Sequence, residues 1–119
     1  MIKQNLHCHT TFDDGADTPE AMVTAAVSAG LTSLGISAHS PVPGEVWCVS
    51  EENEPRFKAE LHRLREKYRG LIDVYCGLEY DSRSAQRFEG YDYVIASAHT
   101  LAGTTIDNTV EEARQVIEH

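Results

Sequence analysis

Histidine and acidic side chains recur at the ends of the predicted strands. The 119-residue chain has six histidines. Four of them lie at, or within two residues of, the carboxyl end of a predicted strand, and a glutamate ends the remaining strand. In parallel α/β folds the carboxyl ends of the strands open on one face, so we expect these residues to converge there. They are His7, His9, His39, Glu79 and His99.

The first histidine pair suits a divalent cation. Side chains two residues apart on a strand point to the same side, so His7 and His9 could chelate one ion. Imidazole suits zinc, iron and manganese, and added carboxylates favour a hydrolytic site with several metals. Glu79 has two oxygens and could bridge this ion to a second one held by His99.

Two adjacent acids follow that pair. Asp13 and Asp14 could help His39 to hold a further cation. Gly15 comes next and frees the backbone to turn toward the site.

Each of these residues also has a structural interpretation. A lone H-x-H motif is a weak signal. His39 could cap a loop, and His99 could be a hydrogen-bonded histidine at a strand end. Glu79 could form an ion pair with Arg83 or Arg87 at the rim of the sheet. The recurrence of the same placement on four strands favours a shared metal site.

The elements that position these residues alternate along the chain. Thr18-Pro19-Glu20 is typical of a helix start, and we predict that Met22, Ala25, Ala26 and Ala29 form its buried face. A second helix begins near Asn53 or Glu54, with an apolar stripe of Phe57, Leu61, Leu64 and Tyr68. The predicted strands are 2–6, 33–37, 73–78 and 91–97, with an irregular crossover over 81–90 and a last helix from Thr109. This order predicts an α/β fold with a parallel sheet.

Composition narrows the class of protein. The length fits one domain, and 41% hydrophobic with 24% charged residues is typical of a soluble protein. The formal net charge of −9 disfavours a nucleic-acid partner. No apolar stretch is long enough to cross a membrane, and the first residues lack a signal-peptide core, so we expect a cytoplasmic protein. Three cysteines argue against a disulfide framework, and we expect each to be reduced and fairly buried.

Four motifs in sequence order contain these histidines and acids. They are His7-Cys8-His9-Thr10-Thr11-Phe12-Asp13-Asp14-Gly15, Ile36-Ser37-Ala38-His39-Ser40, Gly77-Leu78-Glu79-Tyr80 and Ile95-Ala96-Ser97-Ala98-His99. The four motifs resemble those of the polymerase and histidinol phosphatase (PHP) superfamily, and within it most resemble the histidinol-phosphatases. The resemblance covers essentially the whole chain.

The resemblance implies a distorted barrel of seven βα units with two to three divalent ions of zinc, manganese or iron. By position, His7, His9 and Glu79 would bind the first ion and Glu79 and His99 the second. Asp14 and His39 would bind the third. The expected activity is a phosphomonoesterase acting on L-histidinol phosphate, a small metabolite of histidine biosynthesis, with a metal-bound hydroxide attacking phosphorus. Trp47 and the loop 41–43 could shape the substrate side; no residue is assigned as the general acid.

Length is the main departure from the family pattern. A complete barrel needs about 250 residues, so the whole chain, 1–119, corresponds to the amino-terminal half of a PHP domain. The later ligands and phosphate-binding arginines of the family have no counterpart in it. A half-barrel would expose a sheet edge and apolar faces, which a second copy could cover. The alternatives are therefore a non-catalytic, self-associating metal-binding module or a phosphodiesterase of the same superfamily.

Overall fold

A computed structural model describes residues 3–97, 100–101 and 104–105. The strands of its main sheet are β1 (Gln4–Asn5), β2 (Ser33–His39), β3 (Asp73–Asp81) and β4 (Tyr93–Ser97). They lie in the order β1-β2-β3-β4, and each neighbouring pair is parallel. Two further strands, β5 (Thr100–Leu101) and β6 (Thr104–Thr105), pair in an antiparallel ribbon. The prediction of an α/β fold with a parallel sheet is confirmed.

The first helix, α1 (Pro19–Ser28), begins as predicted but buries a different face. The Thr18 hydroxyl caps it by accepting from the Ala21 N–H at 3.1 Å. The predicted face was Met22, Ala25, Ala26 and Ala29, whereas the buried residues are Pro19, Val23 and Ala26. Of the predicted set, Ala25 and Ala29 are exposed and Met22 packs only partly against the core. The prediction was wrong because the larger Val23 removes more apolar area from water than an alanine does.

The second helix, α2 (Glu54–Lys67), confirms its predicted stripe. Phe57, Leu61 and Leu64 are fully buried, and Tyr68 packs against them at the end of the helix. Together with α1 they cover one face of the sheet, where the helix-facing strand residues are Leu34, Ile36, Ala38, Val74 and Cys76. All three cysteines are buried and free, as expected.

The opposite face of the sheet carries two glycines that lie under an aromatic ring. The Tyr93 ring lies across Gly35 and Gly77, where a Cβ on either glycine would overlap it. The Tyr93 hydroxyl donates to the Leu6 carbonyl, which ties β4 to the end of β1. Residues of this face on β2 and β3 alternate with the core residues, so His39 and Glu79 also belong to it.

Several strand limits differ from the prediction. β2 runs two residues further, to His39, and β3 runs three residues further, to Asp81. β1 is confined to Gln4–Asn5 within the described residues, and β4 begins at Tyr93 rather than residue 91. The predicted last helix and His99 lie outside the described residues. Within the described part of the chain, no helix has the length and apolar character needed to span a membrane.

Candidate metal centre

Strand register places His39 beside Glu79. The two residues are direct partners in the β2–β3 ladder, and their side chains point to the same face. His39 Nδ1 lies 2.7 Å from Glu79 Oε2. Glu79 is only 6% exposed although it is an acid, so its charge depends on the groups around it.

His7 and His9 approach the same carboxylate from the segment after β1. The Nε2 atom of His7 contacts Glu79 Oε1, and His9 Nε2 lies 3.7 Å from that oxygen. Both histidines lie beyond the end of the strand, so strand alternation is not what turns them toward one side. Three imidazoles, from His7, His9 and His39, nevertheless surround Glu79.

The two adjacent acids differ sharply in environment. The Asp13 side chain is fully buried and accepts from His9 Nδ1 at 2.6 Å and from the backbone N–H of His39 and Thr10. Asp14 is 45% exposed, and its Oδ2 lies 3.2 Å from His39 Nε2. Asp13 is thus committed to local hydrogen bonds, whereas Asp14 faces the open side of the site.

Opposite charges shift the pKa values of three of these groups in the metal-free fold. The hydrogen bond to Asp13 raises the pKa of His9 to about 10, although burial opposes the shift. Burial alone would lower the pKa of His39, but the hydrogen bond and charge of Glu79, with Asp14, outweigh it and raise that pKa. Burial would raise the pKa of Glu79, but hydrogen bonds from His39 and His9 outweigh it and lower that pKa. Each shift favours the charged form of its group, so the histidines and carboxylates stabilise one another electrostatically.

Two overlapping groups have the spacing of cation ligands. One is His7, His9 and Glu79, and the other is His9, Asp13, Asp14 and His39. Within each group the ligand atoms lie within 4.8 Å of one another. Metal–ligand bonds of about 2.0–2.3 Å require donor atoms this close. His9 belongs to both groups, and its ring stacks on the ring of His39 with the centroids 4.2 Å apart.

Other sequence interpretations have different outcomes. His99 lies outside the described residues, so its predicted role stays a prediction. The alternative ion pair of Glu79 with Arg83 or Arg87 is wrong, because Arg83 pairs with Asp81 and Arg87 pairs with Glu51. These arginines lie near acids that the chain brings closer than Glu79.

A cavity of about 340 Å³ adjoins His39. It is lined by Asp14, His39, Trp47 and Arg83. The edge of the Trp47 indole meets the His39 ring at a centroid distance of 5.2 Å. The sequence predicted Trp47 on the substrate side, whereas it suggested Arg83 only as an ion-pair partner of Glu79. Only the spacing of two residues between Asp81 and Arg83 gave any signal, and that spacing is typical of many turns.

Comparison with known proteins identifies the family. The sequence profile of the PHP domain matches residues 5–118. The chain belongs to the PHP-domain family. The predicted resemblance is thereby confirmed over almost the whole length of the chain.

Curated relatives are roughly twice as long or more. A protein from Deinococcus radiodurans named as a probable histidinol-phosphatase is 32% identical over 114 residues, which cover 86% of this chain and 44% of the relative. The histidinol-phosphatase of Bacillus subtilis is 26% identical over 91 residues, covering 68% and 34%. The chain thus spans less than half the length of these relatives.

Solved structures show the same fold. A protein from Listeria monocytogenes, assigned as a histidinol phosphatase, has a TM-score of 0.71 at 20% identity, covering 94% of this chain and 52% of that one. Histidinol phosphate phosphatase from Lactococcus lactis, complexed with zinc, L-histidinol and phosphate, has a TM-score of 0.67 at 25% identity, covering 95% and 49%. The expectation of half a PHP barrel is confirmed.

Proposed function

We propose that this PHP domain serves in the metal-dependent hydrolysis of a phosphate monoester, with L-histidinol phosphate as the substrate. The observation that carries the proposal is the buried Glu79 carboxylate with the imidazoles of His7, His9 and His39 around it. The names of the relatives, and the zinc, L-histidinol and phosphate bound to one similar structure, support the choice of substrate.

The donor set fits divalent cations such as zinc, manganese or iron. Neutral imidazoles and carboxylates are borderline ligands that these ions accept. In this proposal His7, His9 and Glu79 hold one ion, and Asp14 and His39 hold another. Glu79 and His99 would together hold a further ion.

Residues around the donors prepare the site without touching the ion. Asp13 accepts a hydrogen bond from His9 Nδ1, which leaves Nε2 as the nitrogen that faces Glu79. Asp13 also accepts from the backbone N–H of His39, which fixes the backbone at His39. Bound cations would supply Lewis acidity at the phosphate oxygens and lower the pKa of water. The cavity beside Trp47 lies at the lower end of the range typical of small-ligand sites.

A phosphate-release assay tests the proposal. The purified 119-residue chain is loaded with Mn²⁺ or Zn²⁺ and given L-histidinol phosphate, in parallel with the product of the same reading frame extended downstream. We expect release that stops on chelation and falls at least a hundredfold in Glu79→Gln. His62→Ala is the matched control, because His62 is exposed on α2 and should leave the rate unchanged.

Three outcomes would contradict the proposal in different ways. Metal binding without turnover by either protein would support the non-catalytic module instead. Faster cleavage of bis(p-nitrophenyl) phosphate than of the monoester would indicate a phosphodiesterase. Turnover that survives complete removal of metal would show that the cations are not required.

A further inference from the structure

Arg83 lines the cavity beside His39 but is not one of the proposed metal ligands. The cavity is lined by Asp14, His39, Trp47 and Arg83. Arg83 follows the last residue of β3 by two positions, and its side chain is 52% exposed. Arg83 therefore reaches the open side of the site from the turn that follows β3.

The guanidinium is held in one orientation. Arg83 Nε and Nη2 donate to the two oxygens of Asp81 at 2.9 and 3.0 Å, and the Arg83 backbone N–H also bonds Asp81. Asp81 is 4% exposed, so the fork is anchored to a buried group. The Arg83 guanidinium carbon lies 5.6 Å from the centre of the Trp47 ring. A fixed, planar cation loses little freedom when it binds a ligand.

The turn that carries Arg83 is tied to the loop that follows β2. The Ser84 N–H bonds the Asp81 carbonyl, and the Ser84 hydroxyl donates to the Pro41 carbonyl at 2.6 Å. The hydroxyls of Ser84 and Ser40 are also 2.6 Å apart. These bonds join the turn after β3 to the loop after β2, and so fix Arg83 relative to His39.

Three N–H donors of Arg83 stay available after the fork to Asp81. A guanidinium has five N–H groups, and among the described residues only Asp81 accepts from its side chain. Both N–H groups of Nη1 and one of Nη2 remain. This pair of nitrogens has the geometry that binds two oxygens of a phosphate or carboxylate.

We propose that Arg83 binds the phosphate group of the substrate at the rim of the metal centre. The inference rests on the proposed function, because a phosphate monoester supplies the anion. The chain has a net charge of −9, and the cavity is also lined by the Asp14 carboxylate. Both would repel a phosphate dianion, so its binding needs a permanent cation in addition to the proposed metal ions. Arg83 supplies that cation, and Asp81 positions it.

Arg87 is a nearby arginine that forms only an exposed ion pair on the surface. It pairs with Glu51 through one contact of 3.0 Å, both side chains are more than 60% exposed, and it does not line the cavity. The fork of Arg83 on a buried acid differs in geometry and in place. Arg87→Gln is therefore the matched control for Arg83→Gln.

Calorimetric titration with inorganic phosphate tests the inference without requiring turnover. The Mn²⁺-loaded full chain and its variants are titrated at pH 7.5. We expect Arg83→Gln to weaken phosphate binding about ten- to a hundredfold, the range for losing charge-assisted hydrogen bonds. Arg87→Gln should bind within twofold of the unmodified chain. Arg83→Lys, which keeps the charge but not the fork, should fall between the two.

A second variant covers a folding defect, since Arg83→Gln leaves Asp81 buried without its partner. The double variant Asp81→Asn/Arg83→Gln removes both charges and should bind phosphate as weakly as Arg83→Gln while keeping the wild-type urea midpoint. The inference is overturned if the unmodified chain does not bind phosphate, or if either Arg83 variant binds it within twofold. Hydrolysis with a KM unchanged by Arg83→Gln would refute the role of Arg83 alone. Phosphate binding through Arg83 with no hydrolysis would refute the proposed function alone.

Discussion

Replacing Asp13 by asparagine should separate the two acids that the sequence presents as equals. Asp13 Oδ1 accepts from the Thr10 N–H at 3.2 Å, and Oδ2 accepts from the His39 N–H at 3.0 Å and from His9 Nδ1 at 2.6 Å. An asparagine has one oxygen and one NH2 group. In either orientation of the amide, the NH2 group faces an N–H donor that Asp13 had satisfied.

The expected loss of stability follows from that mismatch. One buried donor left without an acceptor costs about 1–3 kcal/mol. The side chain of Asp13 is fully buried, so water cannot take the place of the lost acceptor. We therefore expect Asp13→Asn to lower the free energy of unfolding by about 1–3 kcal/mol. Urea denaturation in the presence of a chelator measures this without a contribution from bound metal.

Asp14→Asn is the matched control for this change. Asp14 is 45% exposed and its side chain faces histidine rings, so its substitution should alter stability by less than about 0.5 kcal/mol. For metal binding, Asp13→Asn should weaken the affinity of the His7, His9 and Glu79 group for Mn²⁺ about 10- to 100-fold, since it frees the His9 ring. Asp14→Asn should instead remove the ion proposed for His39. The reasoning is refuted if Asp13→Asn unfolds like the wild type, or if Asp14→Asn is the destabilising change.

Three further predictions concern the scaffold. Gly77→Ala should destabilise the fold by about 1–3 kcal/mol, because its Cβ overlaps the Tyr93 ring, and the cost measured by urea denaturation should fall in a Tyr93→Ala background. Burial, with a smaller contribution from a nearby acid, raises the pKa of Cys76 to about 12 from 9.0. The stability that this raised pKa contributes is fully present below pH 9, and by pH 10 the free energy of unfolding should have fallen by about 1.4 kcal/mol, because the unfolded chain releases the thiol proton first. Denaturation of the wild type between pH 8 and pH 10 should show this fall and that of Cys76→Ala should not, so parallel pH profiles would contradict it. Thr18→Ala should cost about 1 kcal/mol of unfolding free energy through loss of the bond to the Ala21 N–H, and an unchanged urea midpoint would count against that cap.

The fold was predictable wherever local chemistry and periodicity agreed. Thr18 and the proline after it start α1, and the apolar stripe from Phe57 to Leu64 marks the buried side of α2. The face of α1 was mispredicted because alanines satisfy a helical period without contributing much buried area. The later ends of β2 and β3 were missed because polar residues such as His39 and Asp81 do not carry a hydrophobic signal.

The candidate site was predictable to the extent that strand order determines it. Parallel neighbours bring His39 and Glu79 together, and that inference needed only the alternation of strands and helices. The sequence could not distinguish Asp13 from Asp14, because the difference lies in which backbone N–H groups each carboxylate reaches. The place of Arg83 was missed for a similar reason, since only the turn after β3 aims it at the cavity.

The proposed metal ligands His9, His39 and Glu79 are positioned by partners within the described residues. Asp13 orients His9, strand register sets His39 against Glu79, and Tyr93 fills the space above the two glycines that precede these residues on their strands. None of these contacts requires a residue beyond the described part of the chain. Preorganised ligands lose less freedom when a cation binds. It follows that contacts among the described residues already hold these proposed cation ligands in place before an ion binds.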